Sequence, residues 1–271
     1  MPPYIGGIPD KQPAERGDLV AFQRRLPPEV WRGLSQPLVR AGTVGSGEDL
    51  LVVAWSASML QWEKDTGAAM LAKFGVQAGM RVANTLPGAL TTPGSLLLGD
   101  VVEQLGGLDI PLGEVRNRND AHQAWKTLTL LRADIVITDR RGGALLLEEA
   151  PRLVELPTLA GWIWLTDDPC APLPALAPQL GHVWQRCWLA VPEAQSFFAA
   201  SCPSGAFHLQ SAERVEVVEH PPLDALCGRL VVRGHRQWQE PDVVLPWPAR
   251  RSARPCACGR DGVIEFADSG S

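Results

Sequence analysis

Helix-like and strand-like segments alternate regularly between residues 56 and 168, and this alternation is the strongest constraint on the fold. Four amphipathic stretches have apolar residues at helical spacing and end near glycine or charged residues. Each is followed by a short apolar run of the kind that forms a buried strand. The helical segments are 56–75, 94–107, 119–132 and 143–156, and the strand segments are 79–87, 108–113, 133–139 and 161–168. This pattern predicts βαβ units, which build a mostly parallel sheet with helices on both sides.

The pattern changes after about Val183, where strand-like stretches follow one another with proline, glycine and serine between them. We therefore predict an α/β protein in three parts. Residues 1–40 form an irregular arm packed on the body, residues 41–183 form the α/β core, and residues 184–271 form a β-rich, mixed or antiparallel extension of the same body. Asn119 or Asp120 is the predicted N-cap of the third helix, because both side chains accept hydrogen bonds from backbone N–H groups.

Composition limits the classes of partner. The 271 residues carry a formal net charge of -5, so no basic surface is expected for nucleic acid. The N-terminal segment has neither the cationic start nor the apolar core of a signal peptide, and no apolar run is long enough to cross a membrane. We therefore expect a cytoplasmic protein, whose six cysteines stay reduced and can act as metal ligands or catalytic groups.

Two short pairs of candidate metal ligands stand out near the C-terminal end. Cys202 and His208 have five residues between them, and Cys256 and Cys258 have one. Together they would form a closed tetrahedral Cys3His zinc site with no position for water. Two other interpretations remain: Cys202 is a nucleophile with His208 as its base, or these cysteines are packing residues in tolerant turns. We expect the other three cysteines to be packing residues: Cys170, Cys187 and Cys227.

Four stretches, in order along the chain, carry a family resemblance. Residues 40–56 are similar to a phosphate loop followed by a strand, and residues 74–113 to a helix, strand and glycine-rich segment. Residues 189–209 stand where a YGxTE motif is followed by a cysteine and a histidine, and residues 228–234 and 256–260 resemble a glycine-arginine strand and a Cys-x-Cys-Gly-Arg turn. The sequence therefore resembles the phenylacetate-CoA ligase branch of the adenylate-forming enzymes.

The resemblance implies the large N-terminal core of such an enzyme and a set of site residues. Gly42, Thr43 and Gly45 would belong to the phosphate loop, and Glu193 would be the glutamate of the YGxTE motif and the only catalytic candidate. In some members of the family a zinc ion lies at the matching cysteines and histidine, here the two ligand pairs described above. Arg254 and Arg260 would then offset the charge of the thiolates.

The sequence departs from the family at several positions. Ser46 and Gly47 stand where the loop would have lysine and proline, two carboxylates follow, and Leu189 replaces the tyrosine of YGxTE. No stretch matches the mobile lid domain with its catalytic lysine. We therefore expect that ATP and Mg²⁺ are doubtful ligands and that complete acid-CoA ligation by this chain alone does not occur.

Three functions are compatible with these features. The first is a degenerate, truncated ligase-like pseudoenzyme that binds a small aryl or acyl acid or a nucleotide, or acts with a protein partner or as a homodimer. The second is an active adenylate-forming ligase with a lid supplied by another chain, and the third is a noncatalytic interaction scaffold. Four tryptophans in the strand segments fill the core in the simplest interpretation and line an aryl pocket in the alternative: Trp162, Trp164, Trp184 and Trp188.

Overall fold

The computed structural model describes residues 15–25, 37–88, 93–211, 215–218, 228–232, 242–252 and 254–266. Within these ranges, five α-helices have the following bounds: α1 (Arg16–Arg25), α2 (Ala57–Phe74), α3 (Ser95–Gln104), α4 (Arg118–Leu131) and α5 (Arg140–Glu149). The strands are β1 (Leu38–Val44), β2 (Leu51–Ser56), β3 (Arg81–Asn84), β4 (Leu108–Pro111), β5 (Ile135–Asp139), β6 (Gly161–Thr166), β7 (Trp184–Val191), β8 (Gln195–Ser201), β9 (Phe207–Leu209), β10 (Val215–Val218), β11 (Gly228–Val232), β12 (Val243–Arg251) and β13 (Val263–Phe266).

The described strands form two sheets. Strands β1 and β2 make an antiparallel hairpin, and the other eleven form one sheet in the order β10-β11-β12-β13-β9-β8-β7-β6-β5-β3-β4. Pairing is parallel from β4 to β7 and antiparallel from β7 to β10. The predicted α/β class, a mostly parallel sheet with flanking helices and an antiparallel C-terminal portion, is therefore confirmed.

Local signals explain where the helices begin and end. The Ser56 side chain caps α2 by accepting from the N–H of Met59, and Gly75 ends the helix in the left-handed region at φ 100°. Helix α4 differs from its prediction: Asn117 is the N-cap, and Asp120 lies in the first turn, where its own N–H donates to the Asn117 side chain. Asparagine and aspartate are both good N-caps, and the turn that leads into α4 places Asn117 at the N-cap position.

Tryptophans fill the centre of the parallel half. Trp162 and Trp164 are fully buried neighbours in β6 with ring centroids 5.4 Å apart, and Trp125 of α4 lies 6.2 Å from Trp162. Trp188 is also fully buried and stacks on Phe197 at 4.7 Å. Packing of this kind supports the core interpretation of these side chains, while Trp184 is only partly buried.

The parallel strands determine where a site can lie. In an open parallel sheet, ligands bind outside the carboxyl ends of the strands, because loops and helix N-termini meet there. At this edge β3 ends at Asn84, β5 at Asp139, β6 at Thr166 and β7 at Val191.

None of the helices in the described ranges has the length and the apolar character needed to span a membrane.

Close packing of α5 on β6 depends on Gly143. A Cβ atom at this position would lie 2.2 Å from Cζ3 of the fully buried Trp164. We expect Gly143→Ala to lower the free energy of unfolding by about 1 kcal/mol, because overpacking (about 1–3 kcal/mol) exceeds the gain in helix propensity (about 1 kcal/mol). Urea denaturation measures this. The control is Gly17→Ala in α1, where a Cβ would meet nothing within 4 Å; equal effects at both positions would contradict the packing argument.

Candidate functional site

Two hairpin turns bring the predicted metal ligands to one end of the sheet. Cys202 follows β8, and His208 is the middle residue of β9. Cys256 and Cys258 lie between β12 and β13. Because β13 pairs with β9, with His208 opposite Val263, the two turns are adjacent in space although about fifty residues separate their ligands.

Glycines allow both turns to close tightly. The N–H of Gly205 donates to the carbonyl of Cys202 at 2.9 Å, and the N–H of Gly259 donates to the carbonyl of Cys256 at 2.9 Å. Both glycines have left-handed backbones, at φ 84° and 77°, which other residues adopt only with strain. Each turn therefore directs its cysteine side chain toward the same small volume.

The donor atoms have the spacing of a tetrahedral zinc site. All four lie within 4.8 Å of one another; the Sγ atoms of Cys202 and Cys256 are 3.6 Å apart, and Cys258 Sγ is 3.4 Å from His208 Nε2. Bonds of about 2.3 Å to sulfur and 2.0 Å to nitrogen place tetrahedral neighbours about 3.5–3.8 Å apart. The geometry and the soft donor set therefore fit Zn²⁺.

Hydrogen bonds around the cluster prepare it to bind a cation. His208 Nδ1 lies 2.8 Å from the carbonyl oxygen of Asp261, which places the ring hydrogen on Nδ1 and leaves Nε2 free to bind. The Ser204 hydroxyl and the N–H of Cys258 lower the pKa of Cys256 to about 6. Burial opposes ionisation of Cys202, yet hydrogen bonds with Ser204 and His208 outweigh it, so the pKa of that thiol is lowered too. Burial and the neighbouring thiols raise the pKa of Cys258.

One positive charge that acts on Cys202 belongs to a residue that no sequence pattern indicated. Arg186 in β7 interacts electrostatically with the Cys202 thiol, and burial lowers the pKa of its guanidinium. Arg260 donates to the carbonyl of Lys73 at 3.3 Å, and Arg254 interacts with Glu265. No spacing pattern links Arg186 to the cluster, because β7 and the ligand turns meet only through the sheet.

The remaining cysteines differ in environment. Cys187 is buried in β7, and burial raises its pKa to about 11, so it behaves as an apolar packing residue. Cys170 is partly buried in the segment after β6, and the prediction for Cys227 lies outside the described residues.

A second group of polar residues lies where α1, the hairpin and β7 meet. Gly42 and Thr43 are in β1, opposite Val53 and Val52, and Gly45 begins the hairpin turn with φ 77°. Glu193 is in the turn after β7, and its side chain is 10% exposed. The structure thus brings Glu193 and the turn between β1 and β2 to the carboxyl edge of the parallel strands.

Arg16 connects these two elements, although no sequence motif indicated this residue. Its Nη1 donates to Glu193 Oε1 at 3.0 Å, and its Nη2 donates to the carbonyl of Asp49 at 3.4 Å. Two more side chains of α1 contact the hairpin: Gln23 bonds to the backbone of Val52, and Arg24 donates to the carbonyl of Glu48. Helix α1 therefore lies against the loop and belongs to the site.

Comparison with known proteins identifies the fold. No family model matches this sequence, and no curated protein does. Among solved structures, a 2-hydroxyisobutyryl-CoA ligase in complex with 2-HIB-AMP and CoA superposes with a TM-score of 0.76 at 12% identity, over 94% of this chain and 62% of the ligase. Anthranilate CoA ligase AuaEII in complex with anthranoyl-AMP gives 0.58 at 12% identity, over 85% and 47% of the two chains. The N-terminal domain of FACL13 from Mycobacterium tuberculosis gives 0.57 at 12% identity, over 87% and 61%.

The fold is that of the adenylate-forming enzyme core. This likeness confirms the expected architecture and does not single out the phenylacetate-CoA ligase branch. The chain spans 62% or less of the length of these three neighbours. The expectation against ATP and Mg²⁺ gains no support, because two of the three were crystallised with an acid joined to AMP.

Proposed function

We propose that this chain binds a nucleotide and a small aryl or acyl acid at the carboxyl edge of its parallel strands, as a protein of the phenylacetate-CoA ligase type. The observation that carries the proposal is the contact of Arg16 with both Glu193 and the hairpin turn. It brings together the two sequence stretches that resemble nucleotide-binding motifs, which are 144 residues apart between Asp49 and Glu193 (193 minus 49).

The chemistry of this place suits a nucleotide with its metal ion. Gly45 and Gly47 have left-handed backbones in the hairpin turn, and such turns direct backbone N–H groups toward anions. The Glu193 carboxylate is an oxygen ligand of the kind that Mg²⁺ prefers. Arg16 supplies a planar donor group that matches phosphate.

The neighbouring ligases support a small acid as the second ligand, since their bound compounds are 2-HIB-AMP and anthranoyl-AMP. We do not assign the core tryptophans to an aryl pocket, because Trp162, Trp164 and Trp188 have no exposed surface that a ligand could contact. Transfer of the acid to CoA would require the remaining part of such a ligase, on this polypeptide or on another.

Calorimetric titration with ATP and Mg²⁺ tests nucleotide binding. We expect wild-type protein to bind at millimolar concentration or below, and Glu193→Gln to weaken binding about tenfold or more, because a carboxylate that coordinates Mg²⁺ is lost. Glu155→Gln, at an exposed carboxylate, is the matched control and should bind as wild type does. A thermal-shift series of aromatic and short-chain acids in the presence of ATP then reports the acid, because a ligand of the native state raises the melting temperature. Absence of heat and of any shift at millimolar ATP would contradict the proposal.

We also propose that Cys202, His208, Cys256 and Cys258 bind a structural Zn²⁺. The spacing of the donors, the hydrogen bond that orients His208 and the lowered pKa of two thiols support it. Four protein ligands would fill the tetrahedron, so the ion would cross-link the β8–β9 and β12–β13 turns and supply no catalysis.

Metal analysis of protein never exposed to chelator tests the zinc site. We expect about one equivalent of zinc, and Cys258→Ser should reduce the zinc content and lower the melting temperature by several degrees, because metal binding contributes to folding. Cys170→Ser is the control, since Cys170 is not part of the cluster, and it should keep its zinc. Less than half an equivalent in the wild-type protein would count against the site.

A further inference from the structure

We propose that Arg16 contacts the phosphates of the nucleotide and replaces the cation that the hairpin turn lacks. The inference rests on the proposed function, since it assigns a residue to that nucleotide site. It gives helix α1, in the segment expected to be an irregular arm, a direct part in ligand binding.

The turn by itself has the wrong charge for a polyphosphate. From Gly45 to Leu50 it contains no lysine or arginine, and it carries the carboxylates of Glu48 and Asp49. Two carboxylates beside a phosphate group repel it, so the glycine backbone alone is a poor binding site. A cation from another segment is needed for the site to work.

Arg16 lies against the turn in contact with its first glycine. A Cβ atom built on Gly45 would be 2.2 Å from Arg16 Nη2 and 2.6 Å from the carbonyl oxygen of Asp49. Both distances are shorter than side chains tolerate, so only glycine at position 45 lets the guanidinium approach this far. The position of the Arg16 guanidinium therefore depends on the lack of a side chain at Gly45.

Helix α1 fixes Arg16 in this place. Leu19 and Val20 are buried in the core, and Gln23 bonds to the N–H and the carbonyl of Val52 in β2. These contacts come one to two helical turns after Arg16. The guanidinium is therefore held by the packing of its own helix, and less conformational entropy is lost when it binds a ligand.

Glu193 positions the guanidinium but does not use all of its donors. An arginine has five N–H groups, and the structure engages one on Glu193 and one on the Asp49 carbonyl. The Arg16 side chain is 39% exposed, whereas that of Glu193 is 10% exposed. The fork thus keeps an open side at the carboxyl edge, where a phosphate group can accept two parallel hydrogen bonds.

Titration calorimetry with inorganic tripolyphosphate, with ATP and Mg²⁺, and with adenosine tests the role of Arg16. We expect Arg16→Ala to weaken tripolyphosphate and ATP binding about 10- to 100-fold, as for the loss of a charge-assisted contact, with adenosine unaffected. Arg16→Lys should be intermediate, because it keeps the charge and loses the fork. Arg25→Ala is the matched control, because Arg25 lies on the same helix and donates to the carbonyl of Ala21 in that helix. This variant should bind as wild type does.

A second variant supports the test if Arg16→Ala does not fold. Without Mg²⁺, Glu193→Gln removes the carboxylate that holds Arg16 and repels phosphate, so tripolyphosphate should bind several-fold more tightly. A merely structural ion pair would give the opposite result, because its loss would loosen the site. Thermal melts of each variant separate binding from folding.

The outcomes distinguish the inference from the proposed function. Equal or tighter tripolyphosphate binding by Arg16→Ala overturns the inference, and tighter binding would show that Arg16 blocks the loop. If wild-type protein binds tripolyphosphate through Arg16 but does not bind ATP, the proposed function fails, and Arg16 keeps a role in binding phosphate without a nucleotide. If it binds neither, both fail.

Discussion

Strand β7 is the element on which the rest of the structure depends. It pairs in parallel with β6 along six residues, from Trp184 opposite Gly161 to Leu189 opposite Thr166, and in antiparallel fashion with β8. It therefore joins the parallel half of the sheet, whose carboxyl edge carries Glu193, to the antiparallel half, which carries the two turns of the cysteine cluster. Its stability comes from burial: the side chains from Cys187 to Val191 are all buried, and Trp188 stacks on Phe197 across the turn to β8.

The two candidate sites deal with charge in opposite ways. At the cysteine cluster, three sulfur atoms lie close together, and hydrogen bonds with Ser204 together with Arg186 favour negative charge on Cys202, which a cation would balance. At the carboxyl edge, the backbone of the turn and Arg16 offer positive character to an anion, while Glu193 balances it. One member of each arrangement is buried, Cys202 in the first and Glu193 in the second, and burial strengthens its electrostatic interactions because these weaken in water.

The sequence could predict the elements but not how distant ones meet. Strands β5 and β6 could be predicted from their continuous apolar runs, and α2 from the helical spacing of its apolar residues. Each of these patterns follows from local backbone geometry. The cysteine–histidine cluster could be anticipated for a similar reason, since two short pairs of soft donors are visible in the chain. The division at residues 40 and 183 remains a prediction.

The roles of Arg16 and Arg186 could not be predicted from the sequence, for a physical reason. The Arg16–Glu193 contact joins residues 177 apart, and nothing in the neighbourhood of either residue depends on the other. Likewise, the α4 cap was assigned two or three residues too late, because asparagine and aspartate are equally good caps and the choice is made by the turn before the helix. Contacts set by sheet order and by helix docking require the structure.

The position of β8 predicts that a metal ion at the cysteine cluster would affect a ligand at the carboxyl edge only indirectly. Glu193 precedes β8 and Cys202 follows it, and seven extended residues separate the turns at its two ends. At about 3.3 Å per residue this strand alone spans roughly 20 Å. An ion at the cluster would thus lie far outside the reach of a phosphate at the carboxyl edge, and it would act through β8 by fixing the end opposite Glu193. Loss of the metal should therefore reduce stability first and nucleotide affinity only through the position of Glu193.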